Sequence, residues 1–187
     1  MAGEIKAVGV YLPISDEISE NHFRTSIKMT GILITFNLAS FLILTWSFIQ
    51  GYEIQQVSQI SRHIITALIA TGLSVFSHCM IMMYFVGLGR VIRETVEKGD
   101  LDSKYVTETK SYRKRIFRVA LLAMTLVMVQ TILGGAAHTH VLPLWFHLIL
   151  GILMLAVSSY AVYLETLLLI RNHLLGHDVA RLYEARN

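Results

Sequence analysis

Residues 63–89 read HIITALIATGLSVFSHCMIMMYFVGLG, a run without a single Asp, Glu, Lys or Arg. About 20 apolar residues suffice for a helix to cross a hydrocarbon core of about 30 Å. A segment this long and this free of charge has to satisfy its own backbone inside lipid, which an α-helix does. Three further runs, 29–50, 117–138 and 144–170, are similarly apolar, with Arg118 and Glu165 as their only charged residues. They account for a chain of 187 residues that is 54% hydrophobic, with a mean hydropathy of +0.56. The expected fold is all-α: an integral membrane, left-handed, up-down bundle of four transmembrane helices. Residues 1–28 are read as an N-terminal tail, 29–170 as the transmembrane domain and 171–187 as a C-terminal tail.

The cations set the orientation, because Lys and Arg near span ends collect on the cytoplasmic side. Between spans two and three lie Arg90, Arg93, Lys98, Lys104, Lys110, Arg113, Lys114, Arg115 and Arg118. The N-terminal tail adds Lys6, Arg24 and Lys28, and the C-terminal tail Arg171, Arg181 and Arg186. Loop 51–62 offers only Arg62 and turn 139–143 offers no cation. Both termini are therefore expected in the cytoplasm, or in the matrix of a mitochondrion. The expected location is a prokaryotic inner (plasma) membrane or a mitochondrial inner membrane. Glu94, Glu97, Asp100, Asp102 and Glu108 are scattered through the basic segment, which argues against nucleic acid as a partner. The acids Glu4, Asp16, Glu17 and Glu20 ahead of the first span argue against a cleaved secretory signal. The lone Cys79 excludes an intramolecular disulfide.

Punctuation along the chain fits four helices. Trp46 and Trp145 fall at one interface, as an aromatic belt requires. Pro143 favours a helix start just after it. Span two is expected to run on as helix through Arg90–Lys98, to break at Gly99-Asp100, and to be followed by a charged helix from about 104 leading into span three.

Histidine is costly within a bilayer and usually has a task there. Four of the eight histidines, His63, His138, His140 and His147, fall at the edge opposite the basic segment. His63 opens span two and His147 opens span four. Spans two and four are parallel in an up-down bundle and can face each other across its centre. Their imidazoles are placed to bind one iron from opposite faces of a porphyrin. Gly151, four residues beyond His147, and Ala67, Ala70 and Ser74 beyond His63, leave room for a flat macrocycle. Arg62 is placed to pair with haem propionates. The four histidines are also compatible with copper or zinc.

The passage Val127-Met128-Val129-Gln130-Thr131-Ile132-Leu133-Gly134-Gly135-Ala136, followed by Trp145-Phe146-His147, resembles the third-to-fourth helix passage of the haem A synthase family. Ser61-Arg62-His63 resembles that family's other ligand helix. The resemblance covers roughly 29–170 and implies one haem between His63 and His147. The family's catalytic half carries a glutamate three residues before its ligand histidine, where this chain has Ile60. The loop cysteine pair and the second bundle of many members are also missing.

The resulting expectation is a b-type haem protein with bis-histidine ligation near the outer face. It would transfer electrons as a subunit or accessory of a larger membrane redox complex, or as a homo-oligomer, with quinone among the possible partners. A haem-modifying enzyme and a haem-free structural subunit are the alternatives. His78, about 22 Å along the helix from His63 at 1.5 Å per residue, is expected to hydrogen-bond Asn37, Tyr163 or a backbone carbonyl. With Met124 it is a lesser candidate for a second haem site. Glu165 is expected to reach the nearby interface, with a proton site as its alternative reading. Met80, Met82 and Met83 are expected to point around their helix rather than form a copper path, and His173 and His177 are assigned no role. Gly134-Gly135-Ala136-Ala137 is expected to allow close helix approach.

Overall fold

The structure, a computed structural model, describes residues 16–53, 57–139 and 141–186, with the side chains of 16–27, 57, 58 and 138 outside the description. Four helices follow one another: α1 (Asp16–Tyr52), α2 (Val57–Lys98), α3 (Lys104–His138) and α4 (Leu144–Glu184). All four are long and apolar enough to cross a membrane. Each helix packs on its neighbour in the chain, and α1 closes on α4. α2 and α4 also touch across the diagonal, whereas α1 and α3 make no such contact among the described residues.

The turns are built as their residues dictate. α2 ends at Lys98, and Asp100 takes a left-handed φ of 46°, a conformation that Asp tolerates better than most residues. The Gly99 and Leu101 amides donate back to the Thr95 and Val96 carbonyls at 2.9 and 3.0 Å. Pro143 caps α4 with φ −64° and ψ 138°, so the helix starts at Leu144. Trp46 and Trp145 are exposed near the same end of the bundle, where an interface belt would have them.

Three apolar layers stack along the bundle axis. Leu44, Ala70, Val127 and Met154 form the layer nearest the His63 and His147 end. Leu33, Ile81, Phe85, Ile116, Leu168 and Leu169 form the next. Ile92, Val96, Leu175 and Val179 form the last, beside the α2–α3 turn. That third layer lies beyond the expected spans. At 1.5 Å per residue the 41 residues of α4 extend about 60 Å, twice the thickness of a hydrocarbon core. Residues 171–184, read from sequence as a tail, are thus the continuation of α4. They pack against the extensions of α2 and α3, and the Arg186 guanidinium hydrogen-bonds the Gly99 carbonyl at 2.7 Å and that of Asp100.

Candidate cofactor site

At the end of the bundle away from the basic segment, the last turns of α1 and α3 and the first turns of α2 and α4 enclose a cavity of about 290 Å³. His63 and His147 both line it. His63 is buried and His147 half-buried. The wall is otherwise mainly aliphatic, with polar side chains from Ser47, Tyr52, Thr71, Gln130 and Thr131 and, among the described residues, no carboxylate. Its volume stands at the lower edge of the ~300–1,000 Å³ of small-molecule sites.

Each imidazole rests on a glycine of the preceding helix. A Cβ built on Gly51 would lie 2.8 Å from His63 Cε1. A Cβ built on Gly134 would lie 2.9 Å from His147 Cε1. Any side chain at either glycine would push the ring away. α1 thus supplies the seat for the ligand candidate on α2, and α3 the seat for that on α4. Gln130 fixes the second ring further: its Nε2 donates to the His147 carbonyl at 3.1 Å and lies 3.3 Å from His147 Nε2. On the facing wall the Thr71 and Thr131 hydroxyls are hydrogen-bonded at 2.6 Å, tying α2 to α3.

The other site candidates are distributed as follows. Ala67 lines the cavity, whereas Ala70 belongs to the apolar layer beneath it. Gly151 does not open onto the cavity; the space over its Cα holds Phe48 and the Gln130 amide, with Phe48 Cε2 2.7 Å from an added Cβ. Arg62 is exposed beside His63 and is not part of the wall. His140 and the side chain of His138 lie outside the described residues. Among the described residues, no three His, Cys, Asp or Glu side chains gather to hold a metal ion. Gly51 carries no signal in sequence beyond lying one loop before His63. Gln130 carries a clearer one, since a large amide in an apolar span needs a buried partner.

A second polar cluster occupies the bundle interior between the first two apolar layers. His78 Nδ1 lies 2.8 Å from Glu165 Oε1, and Asn37 Nδ2 donates to Glu165 Oε2 at 2.8 Å. Ser77 Oγ donates to Asn37 Oδ1 at 3.1 Å. His78 is 2% and Glu165 0% exposed. Glu165 therefore does not reach the interface as expected, because it lies on the buried seam of α4 with Gly151, Ser158 and Asn172. Nor does His78 bond Tyr163, which faces outward. Met124 is half-buried on α3. Met80 and Met83 are exposed and Met82 partly buried, so the three point around α2.

Comparison with protein-family models, with curated proteins and with solved structures gave no match to this chain.

Proposed function

We propose that this protein is a membrane-integral b-type haem protein in which His63 and His147 are the axial ligands. The observation that carries the reading is the pair of imidazoles on α2 and α4 lining one cavity, each seated on a glycine of its neighbouring helix. A bis-histidine haem asks two protein ligands of a bundle. A structural zinc site asks four and a catalytic one three, whereas two histidines line this cavity. The glycine seats fit the same reading: each leaves room for the Cε1 and nitrogen edge of its imidazole between the two helices of a hairpin. Haem held by these two histidines would supply one-electron exchange, which suits electron transfer.

The chain's own residues do the rest. Gln130 holds the His147 ring and its carbonyl in place. Leu44, Val127, Leu148 and Met154 give the cavity a dry wall. Arg62, one position before His63, supplies a cation for propionates at the rim. The basic segment at the opposite end puts that end in the cytoplasm or matrix, so the cavity faces the other side. Ile60 stands three residues before His63, where the catalytic half of the haem A synthase family carries a glutamate. This favours electron transfer within a larger membrane assembly over modification of the haem.

The test is a reduced-minus-oxidised absorption spectrum of the detergent-purified protein beside His63→Ala and His147→Ala. A low-spin b-type signal is expected, lost in both variants while far-ultraviolet circular dichroism keeps its helical amplitude. A colourless wild-type protein purified from haem-replete cells would sink the reading.

A further inference from the structure

Glu165 is the only Asp or Glu in any of the four spans 29–50, 63–89, 117–138 and 144–170. It is fully buried, and both its oxygens face donor groups on other helices: His78 on α2 and Asn37 on α1. From this geometry we infer that the His78–Glu165 pair is an intramembrane proton-binding site, loaded from the basic end of the bundle. The inference does not depend on the haem reading.

The argument starts from charge. An imidazole and a carboxylate in contact hold one proton between them in a neutral pair, as imidazolium with carboxylate or as imidazole with carboxylic acid. Loss of that proton to water leaves one negative charge; uptake restores neutrality, with no electron moved and no other bond changed. Asn37 and, through it, Ser77 solvate the carboxylate, so the deprotonated state is not left bare. An isolated charge in such a place is expensive, which is why intramembrane ionisable groups are default candidates for proton and ion handling. A purely structural role asks less: an amide or hydroxyl pair would tie α2 to α4 without the desolvation cost of an acid and a base.

The surroundings leave the pair isolated. α1 has no titratable side chain between Lys28 and Tyr52, and α3 none between Arg118 and His138. At this depth, by register, α3 presents the fully buried Ala120 and Ala123. α2 adds Cys79, half-buried, and Tyr84. α4 adds Tyr160 and Tyr163, both exposed, and the exposed Arg171, six residues or about 9 Å further along the helix. The apolar layer of Leu33, Ile81, Phe85, Ile116, Leu168 and Leu169 closes the bundle axis on the basic side. Beside it, on the α1–α2 seam, the Thr30 and Tyr84 hydroxyls are hydrogen-bonded at 2.9 Å. These two lie seven residues, about two helical turns, from Asn37 and Ser77 on the same helices. They are the polar stepping point between the pair and the basic end.

The experiment is a pH titration of ¹⁵N-histidine in the full-length protein in lipid bilayers, read by solid-state NMR, with His78→Gln to assign the His78 ring. The ring signal is expected to pass between its imidazolium and neutral forms within the window of pH over which the protein stays folded. In Glu165→Gln, which keeps hydrogen bonding but no charge, the ring is expected to remain neutral across that window. Tyr84→Phe is expected to slow the exchange without abolishing it. A wild-type His78 ring fixed in one form throughout would mean a permanent structural contact and would overturn the inference. So would a titration unchanged in Glu165→Gln. Should that variant fail to fold, the wild-type titration alone decides.

Discussion

A methyl group added at Gly51 or Gly134 would land on the edge of an imidazole, at 2.8 and 2.9 Å from Cε1 of His63 and His147. Two effects compete when such a glycine becomes alanine. Helix propensity favours alanine by up to about 1 kcal/mol, while overpacking a fitted contact costs about 1–3 kcal/mol. The contact distance makes the second win. Gly51→Ala and Gly134→Ala are expected to lower the thermal midpoint in detergent and to weaken any pigment signal. Gly72→Ala is the control: nothing lies within 4 Å of its Cβ, so only the propensity gain remains and the midpoint is expected to hold or rise. Midpoints that fall equally in all three variants would remove the distinction between seat and open face. His63 and His147 were legible from sequence because a charged-capable ring at the mouth of an apolar span is rare. Their seats were not, since a glycine in a span has many uses and only the neighbouring helix decides which. Glu165 illustrates the same limit from the other side. Its distance from the interface was readable, but the rotation that turns it inward depends on which face of α4 meets α2.

Helix α4 shows how one element carries both the membrane core and an extension beyond it. Gly151, Ser158, Glu165, Asn172 and Val179 recur every seven residues and are all buried, a spacing that keeps one seam facing its partners. Thr109 donates to Asn172 at 3.0 Å across the start of the extension. On that extension sits His173, whose burial, followed by the charge of His177, holds its pKa below the ordinary 6.5. The folded state therefore takes up this proton less readily than the unfolded chain. Stability from this group is present above pH 6.5 and is lost as pH falls through and below that value. Thermal unfolding followed from pH 8 to about pH 5 is expected to show a falling midpoint whose slope becomes shallower in His173→Gln. An identical slope in that variant would place the acid sensitivity elsewhere. Element number, order and most boundaries could be read from hydropathy and from Gly99-Asp100 and Pro143. The length of α4 could not, because Arg171–Asn187 is polar enough to resemble a tail when its packing face is unseen.

For the molecule as a whole, the basic segment and the paired histidines mark opposite ends of one bundle. With Cys79 replaced by serine, a single cysteine at Asp100 is expected to react with a membrane-impermeant maleimide only from the cytoplasmic or matrix side. One at Glu53 is expected to react only from the other side. Reversal of the two would invert the proposed orientation and place the cavity on the basic, inner side of the membrane. The up-down arrangement and the facing of α2 and α4 across its centre were readable from four spans and short connections; how closely those two helices meet was not, because it depends on how side chains along both helices mesh. The paired glycine seats carry a wider consequence. Each hairpin, α1–α2 and α3–α4, brings one nitrogen donor together with its own glycine backing. The chain is in this respect a dimer of hairpins fused through residues 99–103. Whatever is gripped by both donors acts as a rivet between the halves, so its arrival and departure register as a change in how firmly the hairpins hold each other, with the fold within each left as it was.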